Sequence, residues 1–214
     1  MDISWLGHAS FKLKGKAATV VTDPYEQQIG FKFPKTEADI VTVSHTHFDH
    51  NATGAVGGEP FIIDGVGEYE IKGVSIIGVD SFHDEKKGAE RGKNILFNIQ
   101  IDEVNVAHLG DLGQEALTTE QIEELGNVDV LLIPVGGFYT IDAPTAAKIV
   151  AQIEPKIVIP MHYATEGLTI KSLEGVDKFL KEMAKETGEK LAKLAITKEK
   201  LPEELQLVLL ERAG

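Results

Sequence analysis

The sequence predicts an α/β fold built mainly from short strands. Short β-branched and apolar runs recur along the first 160 residues, with turn-forming residues between them. Helix start and stop signals are clean in three places. Several of the apolar runs are followed directly by His or Asp. This combination indicates a sheet scaffold that carries a polar site at the ends of its strands.

The predicted strands are bounded by Gly, Pro, Asn or Asp and are rich in Val, Ile and Phe. They are expected at 2–5, 10–13, 18–22, 40–44, 60–63, 68–71, 74–80, 94–101, 104–108, 129–134 and 157–160. Two closing strands are expected after the last helix, at 191–196 and 205–210, with a charged turn over 198–204.

Two of the three helices have a defined start and a defined end. Thr118 and Gln121 form a capping box, and Gly126 is a typical stop. Asp142, followed by Pro144, opens a second helix that must end before Pro155.

The third helix is predicted from a stripe of apolar residues. We expect Ser172 to open it and Gly188 to end it. The stripe has helical spacing and contains Leu173, Val176, Phe179, Leu180 and Met183. It indicates core packing rather than a surface for a partner.

Length and composition favour one intracellular domain over residues 1–214. The chain has no Cys, so disulfides and thiolate ligands are both excluded, and a metal would need nitrogen and oxygen ligands. Neither a basic leader nor an apolar run long enough to span a bilayer is present. We therefore expect a cytoplasmic location.

The charge distribution bears on the partners. The formal net charge is −13, and the first 164 residues hold 24 acidic but only 12 basic side chains. No cluster of Lys and Arg is available to follow a phosphate backbone, which counts against a nuclease. We expect a small-molecule substrate, and neither nucleic acid nor a membrane as partner. The sequence leaves a homo-oligomer open.

Three of the seven histidines fall in the stretch His45-Thr46-His47-Phe48-Asp49-His50, directly after a predicted strand. His45 and His47 would share a face if the strand continued, and Asp49 and His50 can reach a second position if the chain coils after Phe48. Four candidate ligands within six residues favour a metal centre over a solvated strand end. The spacing predicts two divalent ions; Zn²⁺ is expected first, and Mn²⁺, Ni²⁺ or Fe²⁺ are alternatives.

Further ligands are expected where other strands end. His83 follows one apolar run, His108 and Asp111 follow the next, and His162 follows the run at 156–161. Spacing alone leaves open whether His83 or His108 completes the first metal site.

These motifs resemble the metallo-β-lactamase-fold hydrolases, whose pattern is HxHxDH followed by a His, an Asp and a last His. The resemblance covers the chain from near residue 1 to about residue 165. Within that group, Trp5 to Ser10, Thr22 to Pro24, Gly110-Asp111 and Pro160 to Tyr163 are similar to the small branch related to ascorbate 6-phosphate lactonase and N-acyl phosphatidylethanolamine phospholipase D. The resemblance implies a four-layer αββα sandwich, in which two mixed β-sheets are flanked by helices.

The resemblance also implies a ligand set. The first metal would be held by His45, His47 and His83, the second by Asp49, His50 and His162, and Asp111 would bridge them. The similar proteins favour His83 over His108, because there the residue three before the bridging Asp supports the site without binding metal. His8 and Asp23 are expected to support the ligands. Arg91, Tyr139 and Tyr163 are expected near the substrate.

The expected activity is hydrolysis of a small ester, lactone or phosphodiester by a metal-bridging hydroxide, which Asp49 or Asp111 would orient. A proton for the leaving group would come from His108, Tyr139 or Tyr163. Two other functions stay open: a non-catalytic metal-binding module, and a di-iron redox protein. The redox proteins of similar fold have Glu where this chain has His47, and they carry a flavin domain. We do not expect β-lactamase activity, because a secreted enzyme would need an export signal.

Overall fold

The computed structural model describes residues 1–184 and 190–213 and contains two mixed β-sheets. The first sheet has six strands, in the spatial order β12 (Leu194–Ala195), β1 (Asp2–Gly7), β2 (Ser10–Lys14), β3 (Thr19–Thr22), β4 (Ile40–Thr42) and β5 (Phe61–Ile63). Its first four strands pair antiparallel, and β3, β4 and β5 pair parallel.

The second sheet has seven strands. In spatial order they are β13 (Gln206–Leu207), β11 (Ile157–Met161), β10 (Val130–Pro134), β9 (Val104–His108), β8 (Lys93–Ile101), β7 (Val74–Phe82) and β6 (Gly67–Ile71). The strands from β13 to β9 pair parallel, and those from β9 to β6 pair antiparallel. The parallel strands β10 and β11 are buried along their whole length, as strands covered on both faces are.

Strand alternation explains how the first sheet packs. Val20 and Ile40 belong to the large core cluster, which also contains residues of the second sheet, such as Phe97 and Leu131. Their neighbours in sequence point to the opposite face, where they join a smaller cluster beneath the segment 23–38. One apolar layer therefore joins the two sheets, and a second layer covers the outer face of the six-stranded sheet.

Three α-helices lie in the described part of the chain: α1 (Thr119–Leu125), α2 (Ala143–Ile153) and α3 (Asp177–Glu182). Helix α1 packs on β7 and β8, and α2 packs on β10 and α3. The predicted fold class, two mixed sheets flanked by helices, is confirmed. The segment over the six-stranded sheet contains a 3-10 helix, Gln27–Ile29.

The caps of α1 and α2 are confirmed. The Thr118 side chain accepts from the Gln121 backbone N–H, and the Gln121 side chain accepts in return from the Thr118 N–H. Asp142 caps α2 by accepting from the Thr145 N–H, and Pro144 lies in the first turn. Both helices end where Gly126 and Pro155 predicted.

The predicted start of the third helix is wrong. Helix α3 begins at Asp177, and Ser172 has a left-handed φ of 71°. Glu174 instead bonds through its backbone to Gly136 and Ala164, which holds the chain out of a helix there. Four of the five stripe residues pack inward as expected, since Phe179 and Leu180 are buried and Val176 and Met183 pack against the core, whereas Leu173 is only half-buried. The predicted stop at Gly188 lies outside the described residues.

The strands of the first 161 residues lie where predicted, to within two residues at either end. The closing strands are shorter than predicted, because each pairs over only two residues with the edge of a sheet. A single bridge between Leu191 and Leu210 extends them. No helix in the described ranges is both long and apolar enough to cross a bilayer.

Candidate metal centre

The candidate ligands follow five strands whose ends converge. His8 follows β1, and the stretch 45–50 follows β4 after two further residues. His83 follows β7, Asp111 comes three residues after β9, and His162 follows β11. Strands of both sheets therefore contribute side chains to one site.

His45, His47 and His83 form the first group. One nitrogen from each ring lies within 4.8 Å of the others. Nε2 of His45 is 3.1 Å from Nδ1 of His47. His45 and His83 are buried, whereas His47 is exposed at the cavity. This is the trio that the sequence predicts for the first metal.

Asp49, His50 and His162 lie together with His8 in the second group, whose ligand-type atoms are also within 4.8 Å of one another. Nε2 of His8 is 3.1 Å from Oδ2 of Asp49. His8 thus contacts an expected ligand directly, which agrees with a supporting position.

Asp111 lies between the two groups and is buried. Its Oδ1 is 3.2 Å from Nε2 of His50, and its Oδ2 is 3.3 Å from Nε2 of His83 and 3.2 Å from Nε2 of His162. The same Oδ2 is 3.9 Å from Nε2 of His45. One carboxylate therefore faces imidazoles of both groups.

These residues fit divalent cations. Oδ1 of Asp111 and Nε2 of His50 are buried and make no hydrogen bond. Buried polar atoms are normally hydrogen bonded, so two facing atoms without partners at the centre of the site need another explanation. Imidazole nitrogens together with carboxylate oxygens are a donor set that suits Zn²⁺ and its neighbours in the first transition row.

Two side chains hold the rings in orientation. Asp23 accepts from the backbone N–H of Ser44 at 2.8 Å and lies 2.8 Å from Nδ1 of His50. The Ser44 hydroxyl donates to Asp23 and lies 3.0 Å from Nδ1 of His45. A carboxylate only accepts, so Nδ1 of His50 carries the proton that Asp23 accepts. The Ser44 hydroxyl donates its own proton to Asp23, so its oxygen accepts the proton on Nδ1 of His45. In both rings Nε2 is the nitrogen that remains to bind metal.

The electrostatics of the site favour neutral imidazoles at His45 and His8 and a charged carboxylate at Asp111, whereas they favour a protonated imidazole at His50. Burial and the neighbouring His50 lower the pKa of His45 to about 3. Burial and His162 lower the pKa of His8 to about 4, although the contact with Asp49 opposes them. For Asp111, burial raises the pKa, but His162 and His50 outweigh burial and hold it well below its usual value. Burial lowers the pKa of His50, but the carboxylates of Asp111 and Asp23 outweigh burial and raise it well above its usual value. Metal binding needs neutral imidazoles, so a cation held by His50 would displace a proton from it.

Backbone strain marks three positions of the site. His8, Asp23 and His162 have φ values of 54°, 39° and 52°, a region that residues other than glycine seldom adopt. Such conformations persist where the surrounding structure imposes them, and they concentrate at functional sites.

His108 does not join the cluster, and its expected roles as ligand or proton donor are corrected. Its ring has no exposed surface. Nε2 donates to the carbonyl of Ala9 at 2.7 Å, and Nδ1 accepts from the N–H of Gly110 at 3.2 Å. Both nitrogens are therefore occupied by the backbone, and His108 joins the Gly110 turn to the turn between β1 and β2.

The two tyrosines and Arg91 have different surroundings. A cavity of about 560 Å³ opens over the two groups, and Tyr139 and Arg91 line it with Asp111. Tyr163 is buried, stacks on Trp5 at 5.5 Å between ring centroids, and does not line this cavity. Burial raises its pKa to about 12. The expectation that Tyr163 lies near the substrate is therefore wrong, since its ring packs in the core.

Residues 2–162 match the sequence profile of a family described as a β-lactamase superfamily domain. That match covers about three quarters of the chain. The chain belongs to the metallo-β-lactamase superfamily. A relative from Methanoculleus marisnigri, named a UPF0173 metal-dependent hydrolase, is 33% identical in an alignment of 202 positions that covers 81% of this chain and 86% of that protein.

Two further members of the superfamily support the same grouping. A UPF0173 metal-dependent hydrolase from Archaeoglobus fulgidus is 29% identical over 85% of this chain and 91% of its own length. A candidate Zn-dependent hydrolase of the metallo-β-lactamase superfamily from Thermotoga maritima, known from a crystal structure, is 40% identical, with a TM-score of 0.81 over 98% of this chain and 97% of that chain.

Sequence reasoning missed three residues that shape this superfamily site. Asn94 is fully buried, accepts from the N–H of Asp111 at 2.9 Å and donates to the carbonyl of Leu109 at 2.9 Å. Asp84 organises the loop after His83, and Lys171 lines the cavity. An Asp that opens a polar, glycine-containing loop is a known turn signal and could have identified Asp84. Asn94 lies within a strand and carries no such signal.

Proposed function

We propose that this protein is a binuclear metal-dependent hydrolase that cleaves an ester, lactone or phosphodiester bond of a small molecule. The relatives named metal-dependent hydrolases support the reaction class. Of three overlapping groups of ligand-type side chains, two include residues that line the cavity, and these two support two metal positions.

The observation that carries the proposal is the position of Asp111. Its Oδ2 lies 3.3 Å from Nε2 of His83 in the first group and 3.2 Å from Nε2 of His162 in the second, and its Oδ1 lies 3.2 Å from Nε2 of His50, also in the second. A carboxylate in this position can bind two cations at once. A purely structural carboxylate would be expected to have hydrogen-bond donors at both oxygens, and Oδ1 has none.

The ligand assignment follows the geometry. His45, His47 and His83 would hold the first cation, Asp49, His50 and His162 the second, and Asp111 both. When bound, two cations lower the pKa of a shared water toward neutrality and polarise the bond that is cleaved. We propose zinc because the set combines imidazole with carboxylate and contains no sulfur.

The protein side chains would orient the metal ligands and supply a proton to the leaving group. Oδ2 of Asp49 lies 3.1 Å from Nε2 of His8, and Asp49 lines the cavity. Of the three candidate proton donors, only Tyr139 lines the cavity, and we retain it for the leaving group.

The test is metal analysis of the purified protein, followed by turnover measurements on lactones, phosphodiesters and carboxylic esters. We expect at least one class to be hydrolysed, and we expect Asp111→Asn to reduce turnover to background. Asp177→Asn is the matched control, since Asp177 is exposed and does not line the cavity. Turnover that survives in Asp111→Asn would contradict the proposal. Stoichiometric metal without turnover of any class would favour a non-catalytic module.

A further inference from the structure

Arg91 is one of only two arginines in a chain that carries a net charge of −13. It lines the same cavity as His47, His83 and Asp111. A cation at this place attracts anions into a site that the acidic remainder of the protein would repel. The position of Arg91 is therefore informative about the ligand.

The loop that carries Arg91 is held by one buried carboxylate. Asp84 accepts backbone N–H bonds from Lys86 at 2.8 Å, Gly88 at 2.9 Å, Glu90 at 3.0 Å and Arg91 at 2.7 Å. Burial raises the pKa of Asp84, but these four donors outweigh burial and lower it to about 2. The backbone of Arg91 is thus fixed before any ligand binds, which lowers the entropic cost of binding.

The Arg91 guanidinium keeps N–H donors available for a ligand. Nη2 donates to the carbonyl of Phe138 at 3.2 Å, and Cζ lies 5.9 Å from the centroid of the Tyr139 ring. Within the described ranges no carboxylate forms an ion pair with Arg91. The adjacent Glu90 also lines the cavity but pairs with Lys86. Since a guanidinium has five N–H donors, several can serve a ligand.

The rest of the cavity rim contains apolar and basic groups. Phe48 is 45% exposed, Ile170 also lines the cavity, and Lys171 adds a second positive charge. An anion at Arg91 would therefore be joined to the scissile group by an apolar spacer that lies against Phe48 and Ile170.

We infer that the substrates are small esters or lactones that carry a second, anionic group, a carboxylate or a phosphate, which Arg91 binds while the acyl group lies against the metal centre. This rests on the proposed hydrolase function. In the reaction, water adds to the acyl carbon and the bond from that carbon to the alcohol oxygen breaks. The alcohol and the carboxylate leave with one released proton. Arg91 contacts only the anionic group, through the paired donors that suit carboxylate and phosphate.

The experiment compares two esters that differ in one group. 4-Nitrophenyl hydrogen glutarate carries a terminal carboxylate, and 4-nitrophenyl pentanoate carries a methyl group in its place. The readout is the kcat/KM of the glutarate ester divided by the kcat/KM of the pentanoate ester, both measured on the zinc-loaded protein. We expect the wild type to prefer glutarate, and Arg91→Ala to lower the ratio by about tenfold or more, because a charge-assisted hydrogen bond is lost.

Two variants sharpen the result. Arg91→Lys keeps the charge but loses the planar fork, so its ratio should lie between those of the wild type and Arg91→Ala. Lys148→Ala removes an exposed positive charge on α2 outside the cavity and should keep the wild-type ratio. A ratio in Arg91→Ala within twofold of the wild type would overturn the inference. So would an equal loss in Lys148→Ala, which would indicate general charge attraction.

A binding measurement separates this inference from the proposed function. If neither ester is hydrolysed, the hydrolase proposal fails for this substrate class. Binding of the glutarate ester to the zinc-loaded protein can then still be measured by calorimetry. Glutarate binding that is at least tenfold weaker in Arg91→Ala would support the anion subsite. Equal binding in the two proteins would overturn it.

Discussion

Nδ1 of His50 lies 2.8 Å from Oδ2 of Asp23, and neither side chain has exposed surface. Asp23 is close to β3 and accepts in addition from Ser44, the residue before the first histidine of the cluster. This pair joins a residue that sequence patterns mark as a ligand to one that is expected from the sequence to support the ligands. It determines which nitrogen of His50 faces Asp111.

Replacing Asp23 with Ala should weaken the affinity for the second metal by about 10- to 100-fold, because His50 loses the acceptor that orients its ring. Competition with a chromogenic chelator measures this affinity. The control is Asp142→Ala, which removes the cap of α2 and should cost about 1 kcal/mol of stability without changing metal affinity. Equal metal affinity in Asp23→Ala and the wild type would refute the role.

Gly113 allows the turn after Asp111 to pack against the strand end that carries His83. A Cβ at this position would lie 2.3 Å from the carbonyl carbon of His83, which is backbone and has no room to move aside. We expect Gly113→Ala to lower the free energy of unfolding by at least about 1 kcal/mol and to reduce metal binding. Urea denaturation measures the first effect. Gly54→Ala is the matched control, since its Cβ would meet nothing within 4 Å.

Asp84→Ala should release the loop that follows His83. The variant loses the acceptor of four backbone N–H groups. Trypsin should then cleave after Lys86, Lys87 or Arg91 several-fold faster than in the wild type, because these bonds must unfold locally to be cut. Cleavage after the exposed Lys148 provides the internal control. An unchanged rate in the loop would show that Asp84 does not hold it.

Removal of metal should lower the melting temperature. Each ion bound at a concentration 100 times its Kd stabilises the folded chain by about 2.7 kcal/mol. For a chain of this size that corresponds to a shift of about 5 °C or more. Differential scanning calorimetry with and without a chelator measures the shift, and added Zn²⁺ should restore it. The same melting temperature in both conditions would argue against ions that bridge the strand ends.

Local sequence patterns correctly predicted the helix ends that depend only on neighbouring residues. The capping box at Thr118 and the Asp142-Pro144 start were confirmed because caps depend on residues within one turn. The start of α3 was wrong, since backbone bonds from Glu174 to distant loops override the helical periodicity there. The closing strands were too long in the prediction, because each pairs with its neighbouring strand over only two residues, which local sequence patterns do not show.

The candidate site likewise has features that the sequence predicts and features that depend on contacts between distant residues. The ligand-type residues that the sequence picked out at 45–50, 83, 111 and 162 do converge, because each follows a strand. His108 ends strand β9, yet its ring turns toward Ala9, and only three-dimensional contacts reveal this. The roles of Asn94 and Asp84 depend likewise on backbone groups that the loops bring to them. The metal assignment itself stays a prediction.

The most direct test of the central claim is the number of metal ions bound per chain. The protein should be loaded with Zn²⁺, dialysed and measured by elemental mass spectrometry. Two equivalents per chain in the wild type, and fewer than two in Asp111→Asn, is the result that two cations sharing Asp111 predicts. One equivalent or none in the wild type, or two in both proteins, would contradict it.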